Sequence, residues 1–341
     1  MKVIYNDGHV AECAPEEELH ILRHSAAHIL AQAVQNLYPH AHFAYGPATE
    51  TGFYYDIDLG DVKLNEEDLP AIEKEMQAIV KKNLPIKPFA LSRDEAIKLM
   101  EERGENYKVE HISDLADDVT LTFFQQGDYI DMCVGPHLCY TKALKAFKLT
   151  AISGAYWKND KNNKMLTRIR GTAFASKEEL EAFVQQQEEA RRRDHTQQHS
   201  GQHLLSHVLY ERFGAYSLGL HIGAQDSYVD VVDDGSFRLT REVCDEMEAE
   251  VNAWIARDEA VKCFFPTTEE LAALPLRKNP DAHEALRIVC IGADEAVACC
   301  GTHVRSTAQV QMVHILSWQQ SHGNLRIFFV AGLRAVNYAA E

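Results

Sequence analysis

The feature that most constrains this chain is an internal repeat of histidine and cysteine residues. The pattern His-Ser-x-x-His occurs at residues 24–28 and again at residues 199–203. Far downstream of each pair, the pattern Cys-x-Gly-x-His occurs at residues 133–137 and 299–303. The same patterns in the same order predict one folding module used twice, and a chain of 341 residues is long enough for two such domains.

The spacing within each pattern predicts two clusters of side chains. Histidines four residues apart lie on one face of an α-helix, whereas the proline or glycine in each Cys-x-Gly-x-His segment favours a loop. His195/His199 and His203/His207 have the same spacing, and the match to the first pair selects His199 and His203. The two predicted quartets are His24, His28, Cys133 and His137, and His199, His203, Cys299 and His303.

Three imidazole nitrogens and one thiolate suit a tetrahedral zinc ion. A structural zinc site is the alternative interpretation, although such sites more often use Cys-x-x-Cys pairs, which this sequence lacks. A histidine-rich set leaves room for an activated water, because zinc lowers the pKa of bound water to about 7. The quartets therefore predict hydrolysis of a polarised ester or amide.

Composition limits the function and the compartment. A net charge of −17 argues against bulk nucleic-acid binding, yet residues 142–170 carry eight lysines and arginines against one acid. This basic strip, with Tyr156 and Trp157 within it, is either a solvated face or a phosphate-and-base surface. Eight cysteines without a disulfide framework, no membrane-length apolar run and no signal peptide predict a cytoplasmic protein. No Walker-type or dinucleotide-binding glycine loop occurs, which argues against nucleotide hydrolysis and NAD chemistry.

Hydrophobic periodicity predicts an α+β fold. Helices are expected at residues 15–37, 66–82, 93–102, 177–193, 196–213 and 240–257, with short strands between them. The predicted organisation is an N-terminal stub (1–19), a first domain (20–175), a linking helix (176–194) and a second domain (195–341).

Longer segments resemble known families. Residues from about 20 to 194 resemble the editing domain of bacterial threonyl-tRNA synthetase, on residues 23–30, 52–56, 107–109, 129–137 and 154–157. Residues from about 195 to 341 resemble the alanyl-tRNA editing proteins and the editing domain of alanyl-tRNA synthetase, on residues 199–205, 220–223, 299–304 and 329–332. Both families share one fold, so the resemblance implies two tandem domains of the threonyl/alanyl-tRNA synthetase second additional (editing) domain fold.

The resemblance implies a free-standing, trans-acting aminoacyl-tRNA deacylase without an aminoacylation domain. Its expected substrates are seryl-tRNA(Thr), seryl-tRNA(Ala) or glycyl-tRNA(Ala), with the tRNA acceptor end as partner and the basic strip along it. Two alternatives remain: a non-catalytic tRNA-binding or synthetase-associated module, and a metal hydrolase acting on an unusual aminoacyl-tRNA or a small ester.

The resemblance also implies roles for individual residues. It implies zinc in the second quartet and leaves the metal content of the first open. His24 and Lys108 match groups that activate or position water, and Asp131 matches a group that orients the substrate. Cys300 replaces the family's usual glycine and is expected either to narrow the second pocket or to offer another thiolate. The catalytic residues expected in the first domain are His24, His28, Lys108, Asp131, Cys133 and His137.

Overall fold

The computed structural model describes residues 1–116, 119–277 and 286–340, and it confirms the α+β class. The chain divides into two compact units, Met1–Gln185 and Gln186–Glu341. Residues 278–285 and 341, which the predicted second domain includes, lie outside the described residues. The helices, in chain order, are Glu18–Leu37 (α1), Leu69–Lys82 (α2), Arg93–Glu102 (α3), Asn106–Asp114 (α4), Lys177–Phe213 (α5), Arg241–Ala256 (α6), Thr268–Ala273 (α7) and Leu333–Ala340 (α8). None of these described helices combines the length and apolar character needed to cross a membrane.

The first unit is built around α1, whose middle is almost completely buried. This helix ends at Leu37, two residues before Pro39, because a proline disfavours helical conformation in the residue before it. The next helix, α2, buries one apolar face against the same core through Ile72, Met76 and Ile79. Burial of this continuous apolar cluster is the main stabilising contribution to the unit.

The strands of the first unit form three antiparallel sheets. A four-stranded sheet has the order β3-β4-β10-β9, a three-stranded sheet has the order β5-β6-β7, and a second has the order β2-β1-β8. The strands are Lys2–Ile4 (β1), Val10–Glu12 (β2), His42–Phe43 (β3), Phe53–Asp58 (β4), Ile86–Leu91 (β5), Leu121–Gln126 (β6), Tyr129–Met132 (β7), His137–Leu138 (β8), Ala146–Tyr156 (β9) and Met165–Phe174 (β10).

The second unit repeats this layout with fewer strands. Its sheets have the orders β11-β12-β17-β16 and β13-β14-β15. The strands are Ser217–Ile222 (β11), Ser227–Val231 (β12), Val261–Phe264 (β13), Ile288–Ile291 (β14), Glu295–Ala298 (β15), Val313–Ser321 (β16) and Asn324–Ala331 (β17). In each four-stranded sheet an earlier antiparallel pair, β3 and β4 or β11 and β12, lies beside the unit's last two strands, which pair as a hairpin.

One ion pair on each four-stranded sheet shows how closely the two units correspond. Arg168 pairs with Asp56 at 2.7 Å, and Arg326 pairs with Asp230 at 2.8 Å. Each guanidinium also lies over the ring of the tyrosine two residues before its acid, at 3.9 Å and 3.7 Å from the ring centroid. The internal repeat seen in the sequence is therefore a repeat of the fold.

The linking helix predicted at residues 176–194 is not a separate element, because α5 runs unbroken from Lys177 to Phe213. The unit boundary after Gln185 falls inside it. The predicted break lay between a helix at residues 177–193 and another at residues 196–213. The two residues at that break are Asp194 and His195, and neither proline nor glycine is present there to end the helix. Asp194 forms an ion pair with Arg334 at 2.6 Å.

Two further differences concern the first unit. Helix α4 was not predicted, and it carries Lys108. The segment predicted as a stub, residues 1–19, contributes β1 to the sheet that includes His137: Ile4 pairs with His137 on β8. The Asn6 side chain also accepts a hydrogen bond from the backbone N–H of Gly135 at 2.8 Å. The N-terminal residues therefore support the segment that carries Cys133 and His137.

Two candidate metal and hydrolytic sites

The first quartet is assembled from one helix and one strand-loop segment. Helix α1 presents His24 and His28 one turn apart, while the segment after β7 brings Cys133 and His137 to them. One ligand atom from each of the four residues lies within 4.8 Å of all the others. The Cys133 Sγ is 3.0 Å from His24 Nε2 and 3.3 Å from His137 Nε2.

A serine that the sequence analysis gave no role anchors this segment to the helix. The Ser25 Oγ accepts a hydrogen bond from the backbone N–H of Leu138 at 2.9 Å and lies 3.3 Å from His137 Nδ1. It therefore orients the imidazole ring of His137 while leaving its Nε2 directed at the quartet. The signal was present in the sequence, because serine follows the first histidine in both copies of the motif.

A buried polar network lies against the first quartet. The Lys108 ammonium is 2.6 Å from Asp131 Oδ1, and Asp131 Oδ2 accepts hydrogen bonds from the hydroxyls of Tyr55 at 2.6 Å and Tyr129 at 3.0 Å. The same Oδ2 is 3.6 Å from His28 Nε2. Asp131 therefore links the predicted lysine to the predicted quartet, and the two tyrosines are members that the sequence analysis missed.

Electrostatics fix the protonation of this site. Burial raises the pKa of Asp131, but the neighbouring Lys108 ammonium, His28 and the hydrogen bonds outweigh it and lower that pKa to about 2. Burial lowers the pKa of His24 to about 3 and that of His28 to about 4. At neutral pH the site therefore holds an ionised carboxylate and uncharged imidazoles, whose nitrogen lone pairs are available to bind a cation.

The first quartet opens into a cavity of about 210 Å³. Five of the six predicted catalytic residues line this cavity: His24, His28, Lys108, Asp131 and Cys133. His111 also lines this cavity, and its Nδ1 lies 2.8 Å from the Tyr45 hydroxyl.

The second quartet has the same construction. Helix α5 presents His199 and His203, and the segment after β15 brings Cys299 and His303, again with the ligand atoms within 4.8 Å of one another. The His203 Nε2 and His199 Nε2 are 3.3 Å apart, and the Cys299 Sγ is 3.4 Å from both His199 Nε2 and His303 Nε2. Burial lowers the pKa of His303 to about 3.

The support behind the second quartet also repeats. The Ser200 Oγ accepts a hydrogen bond from the backbone N–H of Val304 at 3.2 Å and lies 3.3 Å from His303 Nδ1, as Ser25 does in the first unit. Arg287 donates to the carbonyl oxygens of Cys299 at 2.7 Å and Gly301 at 2.9 Å. These contacts fix the direction from which the thiol approaches the helix.

The polar residues around the second quartet are arranged differently from those in the first unit. Val297 stands two residues before Cys299, where Asp131 stands two residues before Cys133. The buried acid of the second unit is Glu295, which pairs with Arg277 at 2.5 Å and with His207 Nδ1 at 2.8 Å. His207 therefore contacts a carboxylate and is not a member of the quartet.

The donor sets of both quartets fit zinc. A tetrahedral zinc ion with bonds of about 2.1 Å to nitrogen places its ligand atoms about 3.4 Å apart. Five of the ligand-to-ligand distances in the two quartets are 3.0–3.4 Å, close to this value, and all the ligand atoms of each quartet lie within 4.8 Å of one another. In the first quartet the Asp131 carboxylate also approaches His28 Nε2, so that nitrogen has a partner within the protein as well.

Cys300 and the basic strip, which the sequence analysis singled out, lie outside the two quartets. Cys300 is exposed and is not part of the group of four. In the basic strip, Lys158 pairs with Glu110 and Asp114 at 2.5 Å each, and Lys164 pairs with Asp58 at 2.7 Å. The ring of Trp157 is buried. The strip is therefore less basic, and offers less aromatic surface, than its sequence suggests.

Comparison with known proteins identifies the repeated module. A family model for the threonyl and alanyl tRNA synthetase second additional domain matches residues 121–170 and 286–328. The first segment contains Cys133 and His137, and the second contains Cys299 and His303. A segment of each unit is therefore similar to the second additional domain. The resemblance found in the sequence is confirmed.

Among individual proteins, the chain is similar to threonine–tRNA ligases. It is 53% identical to that of Clostridioides difficile (strain 630) over 180 residues, which are 53% of this chain and 28% of the ligase. The identity is 54% over 180 residues for Clostridium tetani (strain Massachusetts / E88) and 50% over 180 residues for Carboxydothermus hydrogenoformans. The chain thus spans about 28% of the length of these curated relatives.

Proposed function

We propose that the chain is a trans-acting aminoacyl-tRNA deacylase that hydrolyses the ester of mischarged tRNA. In this reaction water adds to the ester carbonyl carbon and the bond from that carbon to the ribose oxygen breaks. The ribose oxygen takes up a proton, so the products are the free amino acid and tRNA. The observation that supports the proposal is the pair of His₂-Cys-His quartets, in each of which the cysteine and the last histidine fall in a segment similar to the second additional domain.

In the first site the protein's own charges would position the reactants. Lys108 faces the cavity beside His24, and its ammonium suits the oxygen atom that becomes negative when water attacks a carbonyl. Asp131 holds Lys108 at 2.6 Å and is itself held by two tyrosine hydroxyls, so the ammonium is preorganised. His24 is uncharged at neutral pH and is available to hydrogen-bond the attacking water.

In the second site His199, His203, Cys299 and His303 would hold zinc. Zinc bound there would polarise the ester carbonyl and lower the pKa of water. The protein's contribution is orientation: Ser200 fixes the ring of His303, and Arg287 fixes the backbone around Cys299. Zinc in the first site is left open in this proposal, because Asp131 already approaches one of its histidines.

The proposed substrates follow from the limits of amino-acid selection. Threonine differs from serine by one methyl group, which is worth roughly 1–3 kcal/mol of discrimination in binding. A pocket built for alanine likewise excludes the serine hydroxyl only weakly. We infer that the first site hydrolyses seryl-tRNA(Thr) and that the second acts on seryl- or glycyl-tRNA(Ala).

The test is a deacylation panel with each site disabled separately. The purified 341-residue chain is incubated with seryl-tRNA(Thr), seryl-tRNA(Ala), glycyl-tRNA(Ala) and the correctly charged threonyl- and alanyl-tRNAs. Lys108→Ala is expected to lower only the threonine-tRNA activity, and His203→Ala only the alanine-tRNA activity. Removing a group that positions or activates water commonly lowers the rate by about 10²–10⁴.

Other outcomes would select another function. Binding of tRNA without hydrolysis of any member of the panel would favour a non-catalytic tRNA-binding module. Hydrolysis of a small amino-acid ester but of no panel member would favour a metal hydrolase with a different substrate. Equal loss of both activities in either variant would contradict two independent sites.

A further inference from the structure

The second unit has a groove of about 700 Å³ beside its quartet. Three arginines line it: Arg192 and Arg193 from α5, and Arg305, two residues after His303. His303 lines the groove as well, so the groove adjoins a residue of the quartet itself. We call this surface, defined by Arg192, Arg193, Arg305 and His303, the arginine groove.

The arginines of the groove have no ion-pair partner among the residues that the structure describes. All three are exposed. Glu189 is the acidic residue among those lining the groove. In the basic strip of the first unit, Lys158, Lys164 and Arg168 are each paired with an aspartate or glutamate. The other five cations of the strip are exposed and form no ion pair among the described residues: Lys142, Lys145, Lys148, Lys161 and Arg170.

We propose that the arginine groove binds the phosphate backbone near the 3′ end of tRNA and so directs the terminal ribose to the second quartet. The proposal rests on the proposed function, since it assigns a binding surface to the same substrate. Guanidinium groups suit this partner because their planar donors match the oxygen atoms of phosphate. Contacts with phosphate position a nucleic acid without distinguishing its bases. Such contacts suit an enzyme that acts on the end of a tRNA.

The surroundings of the groove are polar rather than apolar. Four polar side chains also line the groove: Thr196, Gln197, Gln309 and Gln311. Gln197 donates to the backbone carbonyl of Gln309 at 2.8 Å, and Gln309 accepts from the backbone N–H of Arg305 at 2.9 Å. These bonds hold the backbone of Arg305 in place, while its guanidinium stays exposed.

The test compares two triple variants of the full chain. The groove variant is Arg192→Gln/Arg193→Gln/Arg305→Gln. The control is Arg191→Gln/Arg238→Gln/Lys262→Gln, which removes the same charge from three exposed residues of the second unit outside the groove. Binding of deacylated tRNA is measured at several salt concentrations, with the thermal unfolding midpoint as a check on folding.

The groove variant is expected to bind tRNA about tenfold more weakly at low salt and to show a shallower salt dependence. Each lost phosphate contact changes the slope of log affinity against log salt by roughly 0.7–0.9, so three contacts change it by about 2. The control is expected to keep the wild-type slope within about 0.5. In hydrolysis of an alanine-tRNA substrate, the groove variant is expected to raise KM more than it lowers kcat.

Three results would overturn the proposal. One is an unchanged slope in the groove variant, and another is an equal loss in the control, which would indicate only a general effect of charge. The third is displacement of tRNA by inorganic polyphosphate at equal phosphate concentration, which would make the groove a general polyanion site. Because binding is measured with deacylated tRNA, a failure of the deacylase proposal would leave this measurement intact.

Discussion

The two sites share four ligands and a supporting serine, and they differ in the charge beside those ligands. In the first, Asp131 lies 3.6 Å from His28 Nε2 and is paired with Lys108. In the second, the position two residues before the cysteine is Val297. The sites share one further feature, because Nδ1 of His28 and Nδ1 of His203 are both buried with no hydrogen-bond partner among the described residues. The first quartet therefore has a buried carboxylate beside one of its histidines, whereas the second has an apolar side chain at the equivalent position.

Because of this difference, we expect two sites with the same four ligands to differ in their affinity for a metal ion. A carboxylate beside a histidine nitrogen favours a proton on that nitrogen, and a proton there competes with a metal ion for the lone pair. Where no carboxylate is present, a metal ion is the partner best suited to several buried imidazole nitrogens that converge on one point. We expect zinc to bind more tightly in the second site, and the following predictions test that contrast.

The largest expected effect is on zinc content. The double variant His199→Ala/His203→Ala is expected to lose about one zinc per chain, because two of four ligands are removed. Elemental analysis of the purified protein measures this loss, with His195→Ala as the control on the same helix. The variant His24→Ala/His28→Ala is expected to lose less zinc. Unchanged zinc in the first double variant would rule out the second quartet as a metal site.

The next effect concerns the charge pair of the first site. Lys108→Met leaves the Asp131 carboxylate buried without its counter-ion, which is expected to reduce the free energy of unfolding by about 3–5 kcal/mol. First-site hydrolysis is expected to fall by about 10²–10⁴. Urea denaturation and single-turnover rates measure the two losses.

The matched control for that variant copies the second site. Lys108→Met/Asp131→Val removes both charges and places valine where the second unit has Val297. It is expected to recover most of the stability but none of the activity, since the charge that positions the substrate is still absent. Recovery of activity together with stability would show that the pair has a purely structural role.

Equivalent glycines provide a third contrast. A Cβ atom at Gly301 would lie 2.0 Å from His199 Cε1, whereas one at Gly135 would lie 2.6 Å from Phe124 Cζ. Gly301→Ala is therefore expected to displace a ligand and weaken zinc binding by about tenfold or more. Gly135→Ala is expected to cost about 1–3 kcal/mol of stability through overpacking.

A chelator competition assay and urea denaturation, applied to both glycine variants, distinguish these effects. Equal loss of zinc affinity in the two variants would mean that both quartets bind zinc with similar affinity, which would contradict the tighter binding expected in the second site.

The smallest expected effect is at Cys300. Its side chain is exposed and outside the quartet, so Cys300→Ser is expected to change zinc affinity by no more than about twofold. The same competition assay measures this change. A much larger loss would indicate that the Cys300 thiolate takes the place of Cys299.

The sequence by itself was sufficient for the fold class, the repeat and the relationship to the synthetase domain. The reason is that these depend on local patterns: histidines four residues apart lie on one helical face, and apolar periodicity distinguishes helices from strands. Ser25 and Ser200 were within reach of the same reasoning, since each occupies the same place in its motif.

Only the tertiary structure decided which charges are neutralised and which are free. Arg168 meets Asp56 across a sheet, Lys108 meets Asp131 through a helix that was not predicted, and β1 lies beside His137 because of one strand pairing. These contacts join residues up to 133 positions apart, a separation set by Ile4 and His137. Such contacts depend on strand register and on burial, which a local pattern does not contain. For that reason three of the eight cations in the basic strip proved to be paired with acids, while three arginines that form no ion pair among the described residues were brought together beside the second quartet.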